Sequence, residues 1–171
     1  MINKSFTLVE VLIAMFLLTV GTVGAIHAIV RVIEATEVSS SQLIASYLAQ
    51  EGIEIVRNIR DTNWLEARTA SNPWDEGLTN CSGGCIADYK HSYGPNQLDP
   101  TLPAYNNQFL NIDTDGFYSY STGPPTIFQR KITITPDGSD ILKVSVTVYW
   151  TERGKSYSVT AQEDLYYWLK R

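Results

Sequence analysis

Hydrophobic positions follow three different patterns along this chain. Between residues 6 and 30 they are almost continuous, FTLVEVLIAMFLLTVGTVGAIHAIV, and Glu10 is the one fully charged side chain in the run. Residues 11–30 alone meet the length of about 20 apolar residues that a helix needs to cross a bilayer. Further on, Ile44, Leu48, Ile55 and Ile59 recur at helical spacing with Tyr47 and Val56 beside them, while Glu51, Glu54, Arg57 and Arg60 fall largely elsewhere. Residues 1–70 contain no proline. Residues 6–60 are therefore predicted to form one helix about 80 Å long at ~1.5 Å per residue, ended by Asp61-Thr62-Asn63. Gly21, Thr22 and Gly24 are its weakest positions, since glycine costs about 1 kcal/mol relative to alanine in a helix.

Near the carboxyl end the period changes to two. Residues 128–135 read as a strand, Pro136-Asp137-Gly138-Ser139 as a turn, and residues 141–151 alternate cleanly, with Val144, Val146, Val148 and Trp150 on one face. Glu152-Arg153-Gly154-Lys155 makes the next turn, and Tyr157, Val159 and Ala161 continue a third strand. Asp164 to Leu169 is expected to close the chain against the sheet. Residues 63–125 lie between the two patterns. They are rich in Pro, Gly, Asn and Ser, as at Asn72-Pro73, Gly94-Pro95, Asp99-Pro100 and Gly123-Pro124-Pro125, and carry Trp64, Trp74, Tyr89, Tyr93, Tyr105 and Tyr118. So many aromatics point to an ordered connection. The predicted fold is α+β: a long amino-terminal helix, its first half membrane-spanning, packed on a carboxyl-terminal antiparallel sheet. The expected segments are 1–5, 6–32, 33–61, 62–125 and 126–171.

Composition narrows the chemistry. The formal charge is −5 over 171 residues, which is not the footprint of a nucleic-acid binder. Cys81 and Cys85, inside Cys-Ser-Gly-Gly-Cys, read as a disulfide closing a small loop in an exported domain. A zinc site would need more ligands than His27 and His91 supply. Asn111, Asp113 and Asp115, followed by Gly116, match the first half of a calcium loop, but Thr122 stands where the closing acid belongs. The stretch reads better as an Asp-Gly turn leading into a strand, with no metal. No nucleophile elbow or His-Glu-x-x-His is present, and neither a cofactor nor an enzymatic activity is expected.

The sequence Lys4-Ser5-Phe6-Thr7-Leu8-Val9-Glu10 ahead of a long apolar helix resembles the processing signature of type IV prepilins and pseudopilins. The resemblance implies cleavage between Ser5 and Phe6 by a membrane prepilin peptidase and N-methylation of Phe6. Ser5 stands where the family usually has glycine, and it keeps the small size. The stretch Gly116-Phe117-Tyr118, the segment from Thr126 to Arg130, the strand around Val144 and the terminal Tyr-Trp segment look like minor pilins more than long-chain major ones. The implied partners are the peptidase, other pilin subunits, an inner-membrane assembly platform and, before assembly, lipid, with no nucleic acid bound directly. The implied place is the cytoplasmic membrane, crossed once with the head outside, and then an extracellular or periplasmic filament. A pilus for adhesion or DNA uptake and a type II secretion pseudopilus all fit. Glu10 has a physical role in that picture. A carboxylate inside a membrane span needs a partner, and cleavage creates a positive amine on Phe6 that a neighbouring subunit can offer it. A plain signal-anchor, a removable signal cut near Ala25 or Ala28, a membrane-anchored binding domain that does not polymerise, and an anchored enzyme are the competing readings.

Overall fold

The computed structural model describes residues 7–66, 73–91 and 101–168. The leader, Ser5, Phe6, Tyr93, Gly94-Pro95 and Asp99-Pro100 lie outside them. Helix α1 (Leu8–Glu66) runs unbroken for 59 residues, through Gly21 and Gly24. It passes the stop expected at Asp61-Thr62-Asn63 for a tertiary reason. Asn63 is buried and its Nδ2 donates to the carbonyls of Trp74 at 3.2 Å and Glu76 at 3.0 Å, and Trp64 is buried beside it. Packing here outweighs the turn preference of the isolated triplet.

The chain divides into two compact units, Met1–Ser41 and Gln42–Arg171. In the first unit the large apolar side chains from Leu8 to Ile33 are 45–76% exposed. The hydroxyls of Thr19 and Thr22 donate back to the helix carbonyls of Phe16 and Leu18 at 2.8 and 2.9 Å. Those bonds satisfy the two polar groups without water, so the helix surface is apolar in effect as well as in composition.

The second unit holds a hairpin of β1 (Asn111–Ile112) and β2 (Tyr118–Ser119), and an antiparallel sheet of β3 (Phe128–Pro136), β4 (Ile141–Glu152) and β5 (Lys155–Tyr166) in that order. Cross-strand neighbours such as Ile132, Val146 and Ala161 share a face. Strand β5 takes in Asp164, Leu165 and Tyr166, which had been expected as a separate closing segment, because their pairing with Lys143, Leu142 and Ile141 extends the ladder. The inner face of β3 and β4 is buried against the head half of α1.

The helix meets the sheet on a seam of small residues. Ala45, Ala49, Gly52 and Val56 are buried together with Leu48, Ile55 and Ile59. Ile44 is only partly buried and Tyr47 is 63% exposed, so Tyr47 is off the face where its apolar character had placed it. The helix approaches the sheet closely at Gly52. A Cβ on Gly52 would stand 2.7 Å from Cγ1 of Val146 and 3.2 Å from Cδ of Arg130, an approach that only glycine allows.

Arg130 crosses this seam fully buried. Its Nη1 donates to the Leu48 carbonyl at 3.0 Å and lies 3.2 Å from Glu51 Oε2, and its Nη2 donates to the Ala87 carbonyl. One guanidinium thus ties helix, sheet and the intervening segment.

Three stability outcomes are expected, all read by tryptophan fluorescence during denaturation, since all four tryptophans lie in the second unit. Gly52→Leu lowers stability by roughly 2 kcal/mol or more through overpacking. Gly21→Ala, with nothing within 4 Å of the added methyl, does not lower it. Arg130→Ala costs about 3–5 kcal/mol, as expected for removing one partner of a buried ionic network. A loss below ~1 kcal/mol would show that the network does not hold the head together.

Candidate functional site

Thr7 precedes the first helical residue, and its Oγ1 accepts the backbone N–H of Glu10 at 3.3 Å. Thr7-Leu8-Val9-Glu10 thus has the sequence of a capping box, with the threonine half of the hydrogen bonding in place. The Thr-x-x-Glu spacing is the sequence signal for this cap, alongside the role of Glu10 as a charge inside a membrane span. The acid also lies in the first turn, where the helix dipole favours it. Among the described residues the Glu10 carboxylate makes no ion pair or side-chain hydrogen bond, and it is exposed within an otherwise apolar surface. The helix contains a stretch of mean hydropathy 2.2, long and apolar enough to cross a membrane. At its far end Arg31 pairs with Glu34 at 3.7 Å.

Residues 1–26 match the family model described as the prokaryotic N-terminal methylation motif. The amino terminus of this chain carries that motif. The match supports the type IV prepilin and pseudopilin resemblance. No curated protein and no solved structure matches the chain. The matched motif takes in Ser5, Phe6, Thr7 and Glu10 and extends into the apolar helix, and the capping threonine and the lone acid of the structure both fall inside it.

The remaining candidate residues lie in the second unit, beyond the methylation motif. Cys81 and Cys85 are joined by a disulfide with their Cα atoms 5.3 Å apart. Its loop lies along β3, where Cys85 and Ile132 exchange backbone hydrogen bonds at 2.7 and 2.9 Å. Asn111, Asp113 and Asp115 belong to the β1–β2 hairpin. Asp113 Oδ1 accepts the N–H groups of Asp115 at 3.0 Å and Phe117 at 2.9 Å, and its Oδ2 accepts the Tyr89 hydroxyl at 2.6 Å. Asn111 instead pairs with Ser119 in the ladder. Gly116, at φ +85°, supplies the left-handed residue that the turn needs. Asp113 serves the turn through Oδ1, and its Oδ2 ties the hairpin to Tyr89.

Along the head half of α1, a cleft of about 370 Å³ is lined by Glu51, Glu54, Arg57, Asp61 and Tyr89 among others. Its charges are already matched. Arg57 bonds Glu54 and reaches Glu163 of β5 at 2.5 Å, and Arg60 bonds Asp61 at 2.8 Å. The hydrogen bond from Arg57 to Glu163 raises the guanidinium's already high pKa, so this latch keeps its cation at every accessible pH.

The Tyr89 hydroxyl, followed by the N–H groups of Phe117 and Asp115, holds Asp113 below the usual carboxylate range, and the same bond pushes Tyr89 up to about 12. A depressed carboxylate contributes stability that is complete above its unfolded pKa and is lost as pH falls through the lower folded value. The hairpin is therefore expected to loosen only in acid below the ordinary aspartate range. In Tyr89→Phe the Asp113 pKa should rise, as followed by carboxyl NMR titration. An unchanged value would mean that the backbone donors carry the whole effect.

Proposed function

We propose that this protein is a structural subunit, a minor pilin or pseudopilin, of a type IV pilus or a type II secretion-like filament. The observation that carries this reading is the solitary Glu10 carboxylate at the head of an exposed apolar helix, within residues that match the methylation motif. In this reading a prepilin peptidase cuts after Ser5 and methylates Phe6. Residues 6–32 then anchor the subunit in the cytoplasmic membrane, with the head outside, until it enters the filament. The exposed side chains from Leu8 to Ile33 would be covered first by lipid and then by the helices of neighbours.

Glu10 has a distinct task at each stage. In the single chain it favours the start of α1 through the dipole and the capping sequence. In the filament it neutralises the Phe6 amine of a neighbour, a pairing whose loss would cost about 3–5 kcal/mol in a dry setting. That cost makes the axial register of subunits depend on one contact. The work is mechanical, and no catalytic residue is assigned.

The first test is intact mass and amino-terminal sequencing of the protein expressed with and without a prepilin peptidase. The expected peptidase-dependent product begins at Phe6 and is heavier by one methyl. A chain beginning at Met1, or one cut near Ala28, would overturn the reading in favour of an anchored or a secreted binding domain, respectively. In the processed protein, Glu10→Gln keeps a side chain able to complete the capping box and removes only the charge. It is expected to be cleaved normally and to be at least tenfold depleted from sheared filaments. Normal incorporation would leave helix capping as the sole role of Glu10.

A further inference from the structure

A second groove lies in the head, away from α1, and encloses about 370 Å³, near the lower end of the range for small-molecule sites of ~300–1,000 Å³. It is built on strands β3 to β5 and walled by the segment around Tyr105 and Asn107. Gln129, Tyr149 and Ser158 form one cross-strand row, and Lys131 begins the next. Tyr157 stacks on Trp150 at 5.5 Å and 18° at the other side.

The walls are held in place from behind. Tyr105 N donates to the carbonyl of Gly84 at 3.0 Å, inside the disulfide loop. Gln129 Nε2 donates to the carbonyl of Asn107 at 2.6 Å, and Asn107 sits at φ +60°, a conformation that asparagine tolerates better than most residues. The stem of Lys131 lies against Gly84 so closely that a Cβ there would be 2.2 Å from its Cε. Its ammonium stands 5.6 Å from the centre of the Tyr105 ring. Among the described residues Lys131 has no carboxylate partner, and no acid lines the groove.

Trp150, itself a lining residue and 4% exposed, has a buried indole N–H with no hydrogen-bond partner. Its indole packs between Phe128 and Tyr157 on the core face of β4, so the polar contacts of the groove come from other residues.

The lining is thus aromatic rings, amides and hydroxyls around one fixed cation. A pyranose matches the neutral part, with an apolar C–H face for a tyrosine ring and a rim of hydroxyls for the amides. A carboxylate on that sugar matches the cation. One lysine is too little positive charge for a nucleic-acid backbone. We propose that this groove binds an acidic oligosaccharide, a chain of uronic-acid units, with Lys131 taking a carboxylate and Tyr105 and Tyr149 supplying the stacking surface. The proposal rests on the head alone and stands or falls separately from filament assembly.

The test uses the full chain in a zwitterionic detergent micelle, so that the detergent carries no sugar. Digalacturonate and its dimethyl ester, which differ in charge and by two methyl groups, are titrated and followed by calorimetry, with near-UV circular dichroism confirming the fold of each variant. Digalacturonate is expected to bind, and the ester about tenfold or more weaker. Tyr149→Ala, at a position 38% exposed, should weaken digalacturonate about tenfold. Lys131→Met should abolish the preference for the acid over the ester. No binding of digalacturonate at about 1 mM, equal binding of acid and ester, or binding untouched by both folded variants would overturn the proposal.

Discussion

The buried guanidinium of Arg130 is the constraint on which the head depends. A charge removed from water needs partners in its place, and both Nη atoms of Arg130 have them, whereas its Nε is buried without a hydrogen-bond partner. Arg130 finds its acceptors on different elements: the carbonyl of Leu48 and the carboxylate of Glu51 on α1, and the carbonyl of Ala87 in the connecting segment. Its own carbonyl accepts the Tyr120 hydroxyl at 3.1 Å. Asp88, next to Ala87, accepts the backbone N–H of Tyr120 at 2.8 Å. Helix, sheet and connection are locked to one another through this set, and any shift of one element would leave a polar group buried without a partner.

The small-residue seam and the guanidinium explain each other. Gly52 lets the helix come close enough to β4 that Val146 touches its backbone, and that closeness brings Leu48 and Glu51 within reach of Arg130. A larger residue at position 52 would push the helix outward and open the same network. The disulfide works at the β3 edge of the sheet. By holding the Cys81–Cys85 loop along β3, it fixes Gly84, and Gly84 in turn positions both Tyr105 and Lys131.

The two units obey different physics. The second buries its apolar side chains within itself. The first presents almost all of them outward, and only an apolar environment supplied from outside, lipid or other helices, removes that surface from water. Glu10 is the exception within that surface. Its carboxylate is compatible with the helix start, but burying it demands a cation that the described chain does not provide.

Much of this was legible from residue order. A run of apolar side chains some 25 long has few structural outcomes, and strict alternation in the segment around Val144–Trp150 fixes a strand with one buried face because side chains on a strand point alternately. The motif around Ser5, Phe6 and Glu10 is local, so it too can be read from the order of residues, as could the Thr7 cap. What residue order left open was every feature that depends on residues brought together from far apart. The seam at Ala45, Ala49 and Gly52 is nearly invisible to a hydrophobic pattern, because small side chains carry little signal until a sheet lies against them. Tyr47 seemed to belong to the core for the converse reason. Nothing next to Arg130 in residue order marks it as a hub, and only the convergence of carbonyls 82 and 43 residues away makes it the centre of the head. The groove between Tyr105 and Tyr149 likewise exists only once the connection has been folded onto the sheet. Local periodicity and local motifs are set by neighbours in sequence, whereas burial of a charge and the shape of a cleft are set by neighbours in space.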